Sequence, residues 1–385
     1  MNFNETKLRF GDVAMQLQAA LASKDVSIQV VASEKGGCFT KVTAKMSSGD
    51  IKWLCENKVT ILKGIGSDSL RVVELGDGTV SIEVGLPFGR RELLSYHDVM
   101  FDVFHGFDKA GREDTPLPII FGKMPGGEIV TRGLTQLPHL LIGGLPGSGK
   151  SVFLNSLICS LVQNNSPEQV RFVLMDSEML EFGWYAKLPH LYSPIVHEPE
   201  QGVMMMKYVE GEMDRRLASF REKGGRNIAD FNSTNEGKRL PYLVVVVDEP
   251  PNFIAGSDGA FESAASRIVA IGKTAGVHLV ITTSRPGAKI VSDGLKADIP
   301  ARLAFRVWQE GDSRILLDED GAEALLGQGD ALFKDGKGTV VRLQAPFIRD
   351  EAVARIVDSA IVRYSGRRFA DVPTLNCNTA HPFNR

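Results

Sequence analysis

Residues 144–151 read Gly-Leu-Pro-Gly-Ser-Gly-Lys-Ser, a spacing of glycines, a lysine and a hydroxyl suited to holding a chain of phosphates. Gly144, Gly147 and Gly149 let the backbone, running through Leu145, Pro146 and Ser148, turn tightly and aim its N–H groups at phosphate oxygens. Lys150 offers a point charge for the β- and γ-phosphates, and the Ser151 hydroxyl is a natural Mg²⁺ ligand. Leu140-Leu141-Ile142 before the loop reads as a buried strand, and Val152, Leu154, Leu157, Ile158 and Leu161 after it recur at helical spacing. This order puts the octet and Val152 at a helix N-terminus, where free N–H groups and the helix dipole favour a phosphate. The sequence thus predicts a nucleotide site taking ATP and Mg²⁺.

A second constellation lies about a hundred residues on. Leu243–Val247 is continuously apolar and mostly β-branched, as a strand buried on both faces of a parallel sheet requires, and it ends in Asp248-Glu249. Next to a phosphate loop, this pair matches a Walker B motif. Asp248 would hold Mg²⁺, directly or through water, and Glu249 would act as general base on the attacking water. The acid after the metal ligand points to hydrolysis rather than nucleotide binding alone.

The elements that position these residues alternate strand and helix. Candidate strands are Leu140–Ile142, Val170–Met175, Leu243–Val247, Val277–Thr282, Ala301–Val307 and Val340–Gln344. Helical patterns between them predict an α/β domain with a mostly parallel sheet covered on both faces. Met204-Met205-Met206 lies on a helix continuing through Met213 and Leu217, where core packing is the expected role. Residues 1–115 read as a separate small α+β module. It has a helix over Val13–Leu21, strands over Val26–Ala32 and Cys38–Ala44, a helix around Gly49–Lys58, and a hairpin of Leu70–Leu75 and Val80–Val84 about Gly76-Asp77-Gly78. Polar Asp108–Thr115 marks the boundary, with the larger domain over 116–385.

The 385 residues carry a net charge of −3, with 43% hydrophobic and 24% charged residues, as expected of a globular protein with a substantial core. That balance argues against broad attraction to nucleic acid but leaves room for a local basic surface. No apolar run is long enough to span a bilayer, and no basic-then-apolar leader is present. Cys38, Cys55, Cys159 and Cys377 are scattered, without metal-ligand spacing, so free thiols in a reducing cytoplasm are expected.

In order, several further motifs resemble the FtsK/SpoIIIE family of DNA translocases. They are Leu137–Leu141 before the loop, Met175-Asp176-Ser177-Glu178-Met179-Leu180-Glu181, Pro189-His190-Leu191, Glu212–Arg216 and Gly225–Ile228 with Phe231-Asn232. Ala275–Leu279, Thr283-Ser284-Arg285-Pro286, Leu295–Arg302, Asp312–Asp318 and Gly321–Leu332 complete the series. The resemblance covers 137 to about 350 and, more loosely, 38–100. It implies a RecA-like P-loop motor assembled as a ring of six around duplex DNA, with ATP bound between subunits. Arg285, Lys296 and Arg314 fall where the family places loop residues facing DNA in the pore; ordinary surface charge is the alternative for each.

The departures from the family are specific. Ser284 stands where many members carry a Gln that senses the γ-phosphate. Lys273 aligns with the trans-acting arginine finger, and Arg267 and Arg302 are geometric alternatives that the sequence leaves open. Trp308 and Glu310 replace a small polar residue and a lysine in the DNA-contacting loop; Trp308 suits either a sugar or a neighbouring subunit. No membrane-spanning region and no C-terminal winged-helix module is read, so a free-standing motor from a mobile element is expected, with any anchoring or recruiting protein left open. The alternatives are a protein-export ATPase and an ATP-binding clamp that hydrolyses weakly.

Overall fold

The computed structural model describes residues 12–106, 117–235, 237, 239–255, 257–286, 295–296, 298–336 and 338–367. The small module follows its sequence pattern: α1 (Asp12–Ala22), β1 (Gln29–Lys35), β2 (Phe39–Lys45), α2 (Ser48–Glu56), α3 (Lys58–Ile65), β3 (Leu70–Gly76) and β4 (Thr79–Gly85). Its strands form an antiparallel sheet in the order β1-β2-β4-β3. The helices close over one face, burying Leu17, Leu21, Val42, Leu54, Ile61, Val80 and Ile82. The helix expected around 49–58 is α2, and a second one, α3, follows it unannounced by the sequence reading. Ser47 caps the first by accepting from the Asp50 N–H, and the chain breaks at Asn57 before the second begins. β5 (Leu94–Ser95) and α4 (Tyr96–Gly106) follow.

The larger body contains β6 (Pro118–Lys123), β7 (Ile129–Gly133), β8 (His139–Gly143), α5 (Lys150–Asn164), β9 (Val170–Asp176), α6 (Pro199–Lys223), α7 (Ile228–Thr234), β10 (Tyr242–Asp248) and α8 (Pro251–Ile254). It continues with α9 (Ala260–Ala275), β11 (Val277–Thr283), β12 (Ala301–Phe305), α10 (Glu310–Leu317), β13 (Asp330–Asp335), β14 (Val340–Gln344), β15 (Pro346–Phe347) and α11 (Asp350–Arg363). One sheet runs β7-β6-β14-β13-β12-β8-β11-β10-β9. The five strands from β12 to β9 are parallel, and the other four form an antiparallel ladder. The sheet is therefore mixed, more antiparallel than the sequence suggested. β13 escaped notice because its apolar run is only Ala331-Leu332-Phe333 between charged ends.

The parallel half is covered on both faces, which is why Leu243–Val247 are fully buried. On one face α5 and α11 enclose Phe121, Phe153, Phe172, Phe305 and Phe333. On the other, α6, α8, α9 and α10 bury Met205, Met206, Met213, Phe253, Ile268 and Leu316, so these methionines are core residues. Gly276 ends α9 at φ 72°, where a Cβ would lie 2.3 Å from Ile228 Cδ1. β5 pairs with β15, Tyr96 enters the larger core, and Val99 and Val103 pack on Ile120. Tyr96, Val99 and Val103 thus pack on the larger body; Asp108–Thr115, where the sequence puts the divide, lies outside the described residues. Among those residues, no helix is long and apolar enough to cross a membrane.

Three histidines are buried: His139, His190 and His278. Burial lowers them to about 3, 4 and 4, against an ordinary value near 6.5. The folded chain keeps them neutral, whereas the unfolded chain binds protons once pH falls below about 6.5. Their contribution is therefore complete above that pH and lost progressively toward pH 4. Guanidinium unfolding should show about 2 kcal/mol less stability at pH 5.5 than at pH 7.5: the three rings lose about 4, and Asp248, which burial pushes up to about 7 so that the folded chain takes up its proton in this range, regains about 2. Equal stabilities at the two values would contradict the neutral, buried state of these rings.

Candidate nucleotide site

The nucleotide loop rises from the C-terminal end of β8 and runs into α5, as its sequence requires. Gly144, Gly147 and Gly149 have φ of 151°, 73° and 123°, the region that favours glycine. A Cβ on Gly147 would meet open space, whereas one on Gly149 would lie 2.8 Å from the Gly329 backbone N. The loop is thus open above and closed below, the shape a phosphate cradle needs. Gly144 N–H donates to Thr283 O and Leu145 N–H to Arg306 O, tying the loop to both flanking strands. Ser148 holds the turn through Leu145 O, Pro146 is exposed at its tip, and Val152 is half-buried on the first turn of α5. Lys150 Nζ donates to Gly144 O at 2.7 Å and Leu145 O at 3.2 Å.

The strand order determines what faces this loop. β11 lies between the loop strand β8 and β10, so Thr282 and Ser284 sit between Lys150 and the carboxylates. Asp248 ends β10, and its carboxylate accepts from the Thr282 hydroxyl. Glu249 follows at φ 45°, a left-handed conformation uncommon for glutamate, with its N–H on Thr282 O at 3.2 Å. Beside them Glu181 Oε1 accepts from the Ser151 hydroxyl at 2.6 Å. Sequence reading assigned no role to Glu181, although an acid five residues beyond Asp176, at the end of the strand beside β10, was the available signal.

Burial pushes Asp248 up to about 7 and raises Glu181, and it lowers Lys150 against the opposing pull of Glu249, Asp248 and Glu181. The carboxylates are short of positive charge, the condition a divalent cation relieves. Among the described residues, no three His, Cys, Asp or Glu side chains form a ready-made metal cage. Mg²⁺ takes one or two protein groups and completes its shell with phosphates and water. Ser151 and Asp248 fit that donor set.

The loop is braced from β13, two strands along the sheet from β8. Gly329 N–H donates to Ser148 O at 2.9 Å, and the next residue, Asp330, forms a two-point pair with Arg342 at 2.9 and 2.7 Å. Both side chains are buried, at 0% and 1% exposure. Arg342 also reaches Ser69 Oγ at 3.1 Å, Glu83 at 3.6 Å and the Phe39 ring, all in the small module. Arg71 bridges Glu83 and Glu319 at 3.3 and 3.1 Å, and the Ser69 hydroxyl donates to Ala324 O.

The remaining expected residues divide by their partners. Arg302 is buried; its Nε, Nη1 and Nη2 donate to Ile299 O, Leu316 O, Lys296 O and Asp318, so it is a brace within its own chain rather than a reaching finger. Arg267 pairs with Glu210 and Asp214. Lys273 is exposed near the C-terminus of α9, at the opposite end of the sheet from the loop. Arg285 and Trp308 are exposed, Trp308 at 81%. Lys296 contacts Asp318, and Arg314 is shared between Glu310 and Asp320. Arg306, which the sequence did not single out, is an exposed cation at the end of β12 beside the loop.

A phosphate loop at the end of one parallel strand, paired acids at the end of another and a strand between them define a P-loop ATPase fold. A model of the FtsK/SpoIIIE family matches residues 107–288. The chain is 32% identical over 367 residues to the DNA translocase FtsK of Leptospira interrogans serogroup Icterohaemorrhagiae serovar copenhageni, covering 92% of this chain and 38% of that protein. The chain thus spans well under half the length of that relative. The pCW3 conjugation coupling protein TcpA, solved as a monomer form with ATPγS, is similar at a TM-score of 0.62 and 20% identity, covering 90% of this chain and 98% of TcpA. The cytoplasmic domain of the Thermomonospora curvata type VII secretion ATPase EccC gives 0.57 and 25%, covering 63% of this chain and 31% of that one. The chain belongs to the FtsK/SpoIIIE family.

Replacing Arg342 with Leu leaves Asp330 as an unpaired buried charge, which should cost about 3–5 kcal/mol in denaturant unfolding. Nucleotide affinity should fall with it, because Gly329 loses its anchor. A loss under about 1 kcal/mol would show that the pair does not brace the loop.

Proposed function

We propose that this chain is the motor of an ATP-driven duplex DNA translocase that works as a ring of six in the cytoplasm. The single observation that carries the reading is that Lys150 and Ser151, on the first turn of α5 after β8, lie on the same side of the sheet as Asp248 and Glu249 at the end of β10, one strand away across β11, in a member of this family. ATP would supply the phosphoryl group, and the accompanying Mg²⁺ would neutralise the charge on its oxygens. Lys150 exchanges its two loop carbonyls for the β- and γ-phosphates, Ser151 and Asp248 hold the cation, and Glu249 takes the proton of the attacking water. Ser284, at the end of the intervening strand, replaces a longer sensing side chain. Lys273, exposed, is the better candidate to act on a neighbouring subunit's nucleotide, Arg302 being consumed internally.

DNA contact is assigned to Arg285, Trp308, Lys296 and Arg314. Arg285 and Trp308 present themselves directly. Lys296 and Arg314 must exchange a carboxylate for a phosphate, which keeps their grip weak and suits sliding. The likeness to EccC favours protein export as the second reading.

Long duplex DNA should stimulate steady-state ATPase several-fold, and Glu249→Gln should bind ATP yet turn over at least about 100-fold more slowly. Lys150→Ala should lose nucleotide binding. Turnover indifferent to duplex DNA but raised by a secretion-signal peptide would replace the DNA reading with export.

A further inference from the structure

A serine hydroxyl has one proton to donate and two lone pairs to offer. A hydroxyl that ligates a cation must turn its lone pairs to the metal, so its proton needs an acceptor on another side. On the first turn of a helix the usual local acceptor is the carbonyl four residues back. Ser151 instead donates to Glu181 Oε1 at 2.6 Å.

Glu181 does not reach this position by accident of a loose loop. The Asp176 carboxylate accepts the N–H groups of Glu178 at 3.0 Å and Glu181 at 2.8 Å, fixing the turn that carries the acid. Just beyond it Phe182 is buried, and the Tyr185 hydroxyl donates to Asn155 Oδ1 at 2.7 Å, one turn along α5 from Ser151. Ser177 Oγ accepts from Asn252 Nδ2 at 2.8 Å, joining the start of the same loop to the helix that follows Glu249. The loop is thus fastened to β9, α5 and α8 around the site.

We propose that Glu181 is the positioning residue of the metal centre: by accepting the Ser151 proton it aims the hydroxyl's lone pairs at the cation that accompanies ATP. This rests on the reading of the loop as a Mg²⁺–ATP site. Glu181 acts through Ser151, in the way that groups behind a metal ligand orient it. Only the metal-dependent part of nucleotide affinity should depend on it.

The test measures binding of a fluorescent, slowly hydrolysed ATP analogue in EDTA and at increasing Mn²⁺, with the Mn²⁺ electron paramagnetic resonance signal as an independent count of bound metal. Glu181→Ala should weaken Mn²⁺ binding about 10–100-fold and leave affinity in EDTA unchanged. Glu181→Gln, whose amide oxygen still accepts, should retain most of the wild-type affinity. In a Ser151→Ala background, Glu181→Ala should have no further effect. The proposal is overturned if Glu181→Ala binds Mn²⁺ as the wild type does, or more tightly, as a residue blocking Ser151 would. It is overturned equally if Gln and Ala lose the same affinity, or if the losses at 151 and 181 add. Wild-type protein that binds no analogue under any condition removes the nucleotide reading itself, and this proposal with it.

Discussion

Asp330 and Arg342 are charges placed where water cannot reach them, Asp330 compensated by Arg342 and Arg342 by Asp330 together with Glu83. Much else hangs on the pair. Asp330 fixes the turn that presents Gly329 to the underside of the nucleotide loop, and Arg342 extends the same charge network to Glu83 and Ser69 of the small module. One buried ion pair therefore joins the wall of the catalytic pocket to the domain that precedes it. Gly149 belongs to this constraint, because any larger residue there would strike the Gly329 backbone.

The chemistry is arranged by the order of the strands. Residues separated by about a hundred positions meet because parallel strands end on the same side, and β11, inserted between β8 and β10, supplies Thr282 to hold Asp248. The end of β10 and the loop after β9 gather Asp248, Glu249 and Glu181 around Lys150. Burial makes that gathering costly without a cation, as the raised Asp248 shows. A site built this way is poised for a ligand that carries both phosphates and a metal.

Much of this was legible in the chain. The octet at 144–151 and the run into Asp248-Glu249 announce themselves because their functions demand particular residue types at fixed spacings. Buried parallel strands also announce themselves, since both faces must be apolar. What the sequence hid depends on long-range pairing. β13 carries charges that read as a loop until Arg342, opposite Leu332 on β14, is seen reaching diagonally to Asp330. Arg302 looked like a reaching cation, yet its guanidinium satisfies three carbonyls and Asp318. Tyr96 and α4 read as part of the small module because nothing local betrays the apolar face they cover. Glu181 stands in a recognisable motif, but its hydrogen bond to Ser151 is a fact of tertiary structure alone.

The central claim is that ATP turnover moves this protein along duplex DNA, and displacement of a fluorescent third strand from a linear duplex measures that directly. The account predicts ATP-dependent displacement by the wild type, whose delay lengthens with the distance between the loading end and the third strand, and none by Glu249→Gln. Hydrolysis on DNA without displacement at any distance would contradict it.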